Sequence, residues 1–462
     1  MDERASIPVS LPHPTPLPSY WQARPLSSHQ ESDALPGYTD TLIIGSGITG
    51  ATIAWNLLSR GVDTDVTMLE ARGVCDGATG RNGGHTKAAS YRSFPDNIKN
   101  VGIEQAKKIA RLELANIRAT HAFAKRHGIE CESRRCETVD VYFDQTQWEA
   151  CVSAVGVMRD AFGDEDEGLY KLWSAAEARA RFRVEGEGVV GAVSYEAGSI
   201  KADSFVGGVL RLCLEKGLKL YAHSPVTELR RVESGWDVVT QKGMVRAKRV
   251  VLATNGYTAH LLPLFQGKIV PLRGQVTAHR PGSNLPPSGL QNTYSFMYEN
   301  GYDYMIPRPA GTEFPGDIII GGGLSKAKDE GLYEYGETDD SLRNADISEH
   351  LHESTARYFG DAWGADSTDG RVRREWTGVM GYSPDGFPFV GEVPGMEGVW
   401  IAAAFQGHGM VFCWESARAL VGLMNGEDVD EWFPSSFKVT EERLEKRFKG
   451  RLHTKASGGE GV

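Results

Sequence analysis

The sequence predicts an α/β protein. A Rossmann-type dinucleotide-binding domain, assembled from discontinuous segments, carries a second, α+β domain with an antiparallel sheet. Three observations predict it. A strand–glycine-turn–helix–strand unit occupies residues 41–70, a second strand–glycine-turn–helix begins at Val399, and alternating Pro- and Tyr-rich segments fill residues 264–345.

Thr41-Leu42-Ile43-Ile44 is the apolar, β-branched-rich run of a buried parallel strand. Gly45-Ser46-Gly47-Ile48-Thr49-Gly50 follows, then a helical stretch to Arg60 with Gly61 as its natural stop. The next strand, Val66 to Leu69, ends in Glu70, 20 residues past Gly50. Each glycine has its own reason: a tight turn, close backbone approach to a pyrophosphate, and close helix–strand packing. The helix start offers Gly47, Ile48 and Thr49 N–H groups and a partial positive charge to phosphates. A carboxylate at position 70 accepts from ribose hydroxyls. This stretch alone leaves open whether the dinucleotide is FAD or NAD.

With 462 residues the chain holds two or three domains' worth of material. A net charge of −11 argues against a nucleic-acid partner. No apolar run approaches the length of a membrane span, and no secretory h-region opens the chain. The six cysteines are scattered, without the paired spacing of a zinc site, so no metal is expected and the thiols read as reduced, in a cytoplasmic protein.

Residues 1–37 form a Pro-rich leader, either disordered or an extended strap anchored by Tyr20 and Trp21. Gly77 to His85 is a small-residue loop of the kind whose N–H groups converge on an anion or a planar ring. One long helix is expected from Ile98 to His127, another from Gln147 to Phe162, and the acidic run 164–167 reads as a solvated turn. An α/β pattern returns over residues 203–260, with a buried strand ending at Val251-Leu252-Ala253. Ile318-Ile319-Ile320-Gly321-Gly322-Gly323 imitates a second nucleotide loop but lacks a third glycine and a packing helix. Near the end, strand Val399 to Ala404 leads through Gly407-His408-Gly409-Met410 into a helix. Its N-terminus suits the negative charge of a reduced isoalloxazine.

Taken in order, these segments, with Pro384-Asp385-Gly386-Phe387-Pro388-Phe389-Val390-Gly391, resemble the D-amino-acid oxidase superfamily of FAD-dependent oxidoreductases. That family includes the glycine, sarcosine and γ-glutamylputrescine oxidases, and Gly77-Ala78-Thr79-Gly80-Arg81-Asn82-Gly83-Gly84 is most like the last branch. The resemblance spans roughly residues 38 to 430. It implies that Gly45, Gly47, Ile48, Thr49 and Gly50 face the FAD phosphates and that Glu70, Ala71 and Arg72 hold the adenosine end. By the same likeness Ala78, Thr79, Gly80, Asn82, Gly83, Gly84 and His85 wrap the pyrophosphate and flavin edge. Val226 would sit by the adenine, and Gly407, His408, Gly409 and Met410 by the flavin's pyrimidine side. The implied FAD-binding domain comprises 38–95, 196–262 and 365–430, the substrate domain 96–195 and 263–364, and residues 431–462 a C-terminal tail.

Two departures bear on chemistry. Met380 stands where the glycine and D-amino-acid oxidases place a carboxylate-clamping arginine. Gly321 to Gly323 occupies the region where monomeric sarcosine oxidases carry a flavin-linking cysteine, which implies noncovalent FAD. The oxygen-activating lysine of those oxidases has Lys268 as its candidate. The expected activity is hydride transfer from a small amine substrate to flavin N5, with O2 or another acceptor reoxidising the flavin. His85, Tyr302, Tyr304, Arg308 and Met380 are the candidate pocket residues. An NADPH-dependent monooxygenase and a non-catalytic FAD-binding protein are the alternatives.

Overall fold

The computed structural model describes residues 1–22, 34–60 and 64–451. Gly61, the expected helix stop, lies outside the described residues. The first of two sheets has five parallel strands at its centre, ordered Lys219–Tyr221, Val66–Leu69, Tyr38–Ile44, Gly243–Leu252 and Val399–Ala403. Their register sets Ile44 opposite both Leu69 and Leu252. The three strands therefore end at one level, and Gly45, Glu70 and Ala253 open side by side at their carboxyl edge. That edge is where open α/β sheets bind ligands.

Successive residues of a strand face opposite ways, and the core follows. Ile43 and Val251 pack with Ile53, Phe205 and Leu420 of the helices Ile48–Leu58, Ala202–Glu215 and Gly409–Met424. Leu42, Ile44, Val250 and Leu252 face the other way, against Trp236, Leu262 and Phe265.

The second sheet runs Val372–Tyr382, Val270–His279, Ile318–Gly321, Gly301–Pro307, Thr293–Tyr298, Arg134–Tyr142, Gly191–Ser199 and His85–Thr86, with Lys171–Ser174 also paired to Gly191–Ser199. Its pairings are antiparallel except for Thr293–Tyr298 beside Arg134–Tyr142. Ile318–Gly321 is antiparallel to both neighbours and leads into a 3-10 turn, so the imitation nucleotide loop there opens no helix.

Several sequence expectations need correction. The helix expected from Ile98 to His127 is two helices, Ser90–Val101 and Ile103–Arg126, broken at Gly102, whose φ of +81° no side chain adopts easily. The expected domain boundaries shift as well. Val372–Tyr382 belongs to the second sheet, Gly191–Ser199 crosses the expected break at 195/196, and Ile109, Leu112 and Ile117 pack into the first sheet's core. Residues 431–451 are no loose tail. Phe433 and Phe437 are fully buried in the first core, and Phe448 packs with Tyr335 and Tyr382. Residues 1–22 are a strap held by buried Tyr20 and Trp21, the Trp21 indole donating to the Asn82 carbonyl at 2.6 Å.

Candidate active site

One cavity of about 1310 Å³ runs from the carboxyl edge of the parallel sheet to the face of the second sheet. At the first end the glycine motif works by contact. A Cβ on Gly50 would stand 2.0 Å from the Gly45 carbonyl oxygen, so the helix meets the turn as closely as a nucleotide motif requires. Glu70 is fixed as an acceptor. Its Oε2 receives the Ser46 N–H and hydroxyl at 2.9 and 2.7 Å, and its Oε1 the Arg72 N–H at 3.0 Å. Ala71 and Val226 line the wall beside it.

The loop Ala78–Arg81 closes over the helix start, where Thr79 Oγ1 accepts the Ile48 N–H at 3.0 Å. Asn82 then holds the chain in place, donating to the Thr79 carbonyl at 2.9 Å and accepting the Gly84 N–H at 2.6 Å. Gly83 is required by proximity, since a Cβ there would lie 2.8 Å from both Tyr304 and Ile306. The cofactor loop is thereby pressed onto the second sheet. Gly80 and Gly84 pack against backbone and lie outside the cavity wall.

Across the cavity, Gly407 to Met410 lead into the helix Gly409–Met424. Two residues just ahead are strained, Ala404 at φ +62° and Gln406 at φ +57°. The Gln406 amide stabilises that turn by donating to the Ala404 carbonyl at 2.6 Å and to Ser383 Oγ at 2.8 Å. Sequence reading missed Gln406, and its only signal was its place between a small-residue strand end and Gly407. Met380 meets this turn, with its sulfur 3.1 Å from where a Gly407 Cβ would be.

His85, Tyr302, Tyr304 and Met380 all line the cavity, as expected. His85 bonds Thr293 Oγ1 at 2.8 Å. Burial, with Lys87 nearby, holds its pKa well below the usual imidazole value, so it is neutral at pH 7. The Tyr304 phenol is pushed up by burial. Burial alone would also raise Tyr302, but Arg451, Arg92 and Lys87 outweigh it and lower the phenol's pKa. Sequence reading missed these three cations. Lys87 is ion-paired with Asp140, whose other oxygen receives the Tyr91 and Tyr195 hydroxyls at 2.7 and 2.9 Å.

Three expected roles are corrected. Lys268 is outside the cavity wall and donates to the Leu264 carbonyl at 2.7 Å. Arg308 is also outside it, paired with Glu132 at 2.6 Å and lying 4.9 Å from the Trp21 ring centre, so it anchors the strap. The Arg72 guanidinium turns to Asp340 at 2.9 Å and to the strap carbonyl of His13 at 3.1 Å. What remains of Arg72 at the adenosine end is its backbone N–H on Glu70.

The residues fit FAD: a glycine turn too close for any side chain, an immobilised carboxylate at the ribose position, and a second helix start across one cavity. Residues 40–423 match the model of the DAO family, described as FAD dependent oxidoreductase. The chain is 25% identical over 428 residues to a probable oxidoreductase OrdL from Rhizobium meliloti, covering 89% of this chain and 90% of that protein. It is 26% identical over 302 residues to a glycine oxidase from Pseudomonas aeruginosa, covering 62% and 74%. Among solved structures, glycine oxidase from Geobacillus kaustophilus superposes with a TM-score of 0.70 at 20% identity, over 88% of this chain and 99% of that one. No helix among the described residues is long and apolar enough to cross a membrane.

Proposed function

The chain belongs to the DAO family of FAD-dependent oxidoreductases, and from that premise we propose that it oxidises a C–N bond of an amine or amino-acid-derived small molecule. FAD is held noncovalently, and O2 is the final electron acceptor. The observation that carries this reading is the continuity of the cavity. The nucleotide-binding edge of the first sheet and the His85–Tyr302–Tyr304–Met380 wall of the second open into one space.

Bound there, FAD supplies the two-electron acceptor for a hydride leaving the amine carbon. The turn 45–50, Glu70, Ala78, Thr79, Asn82 and Gly83 would hold its nucleotide, and Gly407 to Met410 its pyrimidine side. The protein's own part is orientation and exclusion of water. Tyr302, Tyr304 and Met380 give the amine a largely apolar wall. His85, kept neutral by burial, adds no charge that would repel the substrate. The imine product hydrolyses to a carbonyl compound and an amine or ammonia. The two electrons and two protons removed leave as H2O2.

The test is a purified holoprotein mixed without oxygen with a panel of primary amines, secondary amines and amino acids. Bleaching of the flavin's visible band by an amine, followed by H2O2 release on admitting air, is the expected result. Bleaching by NADPH alone would replace this reading with a monooxygenase. Flavin released by acid precipitation shows noncovalent attachment, and flavin remaining in the pellet would contradict it.

A further inference from the structure

The strap passes behind the loop that closes over the first helix start, and it takes hold of that loop's carbonyls. Ser19 Oγ donates to the Gly80 carbonyl at 2.8 Å, and the Trp21 indole donates to the Asn82 carbonyl at 2.6 Å. Between them, the Arg81 carbonyl accepts from the Trp376 indole at 2.7 Å. The approach is close, since a Cβ on Gly80 would stand 2.9 Å from Gln22 Nε2. The strap is in turn fixed to the second sheet. The Tyr20 hydroxyl donates to Asp317 at 3.0 Å, its ring stacks on Trp376, and Arg308 lies against the rings of both Tyr20 and Trp21.

An indole N–H only donates, so Trp21 decides which way the Asn82 carbonyl points. The peptide is planar and trans, so the N–H of Gly83 points the opposite way, away from the strap. Gly83 is buried and lines the cavity, and among the described residues its N–H has no acceptor. A buried N–H without a partner is rare in a folded chain, and an acceptor atom of the cofactor would supply the partner. Gly83 and Gly84 follow Asn82 directly, and glycine lets a peptide plane turn over at little steric cost. The plane therefore needs holding. Trp21 is outside the cavity wall, so it reaches the loop and not the cofactor space.

We propose that Trp21 is a positioning residue of the FAD site. Its indole holds the Asn82–Gly83 peptide so that the Gly83 N–H donates to an acceptor atom of bound FAD, which makes the N-terminal strap part of the cofactor-binding machinery. This rests on FAD occupying the cavity and is independent of the substrate that the flavin oxidises.

The test compares Trp21→Phe, which keeps a ring and removes the donor, with Tyr20→Phe, which removes a neighbouring anchor of the strap and leaves the Asn82 carbonyl held. Each loses one strap hydrogen bond, so both should melt below the parent. Release of FAD from diluted holoenzyme, followed by recovery of flavin fluorescence, separates them. It should be about fivefold faster or more in Trp21→Phe, the scale of one hydrogen bond, and within twofold of the parent in Tyr20→Phe. If Trp21→Phe does not fold, the same release is measured with the Trp21 indole replaced by benzothiophene, which keeps the shape and lacks the N–H. Release unchanged on loss of the indole donor, or quickened equally by Tyr20→Phe, would overturn the proposal and leave the strap a structural brace. Faster release in Trp21→Phe, from a flavin that no amine reduces, would keep the proposal and refute the amine reading alone.

Discussion

Replacing Glu113 with glutamine should stabilise the protein at alkaline pH and change little in mild acid. Glu113 sits on the helix Ile103–Arg126, 4% exposed, and the Ser90 hydroxyl donates to it. Burial raises its pKa from 4.5 to about 7, partly opposed by that hydrogen bond. An acid whose folded pKa is raised keeps a proton that the unfolded chain releases. Stability therefore falls as pH climbs from about 4.5 to about 7 and is level above that window. The gap of about 2.5 pH units, at 1.36 kcal/mol each, is about 3 kcal/mol. Glutamine is uncharged at every pH and still accepts from Ser90. For a chain of this size 3 kcal/mol is about 3 °C in melting temperature. The assay is a pair of thermal melts at pH 5 and pH 8.5, at one scan rate and equal flavin loading. The variant should melt about 3 °C higher at pH 8.5 and within about 1 °C of the parent at pH 5. An equal difference at both pH values, or a lower melting point at pH 8.5, would refute the reasoning.

Other outcomes follow from the same contacts. Gly50→Ala should purify without flavin or not fold, because the new methyl group would stand 2.0 Å from the Gly45 oxygen; flavin absorbance per protein reads this, and a full complement of FAD would contradict it. Glu70→Gln leaves one acceptor oxygen for the Ser46 and Arg72 donors now shared between two, and should weaken FAD affinity about tenfold or more by fluorescence titration. Asp340→Ala removes the buried partner shared by Arg72 and Arg81, and should cost about 3–5 kcal/mol. Limited proteolysis should then cut the strap faster in that variant than in the parent.

Residues 41–70 were legible because their pattern is local. Strand, turn, helix and acid fall within one βαβ unit, and Gly50 answers to Gly45 inside it, although Gly45 also faces Ala253 and Gly47 the Thr79 side chain of the later loop. The second turn at 407–410 was legible for the same reason. That Met380 belongs to the second sheet was not. It lies on Val372–Tyr382, whose partner Val270–His279 is some hundred residues away, so pairing rather than composition puts it in the second sheet and against Gly407. Arg308 misled because a charged residue after a Tyr-rich strand resembles a ligand group. Only the folded chain shows Glu132 and the strap's Trp21 taking that charge.

By itself the sequence determined the cofactor-binding edge, where backbone geometry at short range dictates which residues are tolerated. The tertiary structure decided the substrate wall. Arg92 and Tyr302 are 210 positions apart, and nothing periodic in either segment signals the other. Their meeting depends on how a helix following the cofactor loop packs over the second sheet, a long-range outcome of burial that local propensity does not encode.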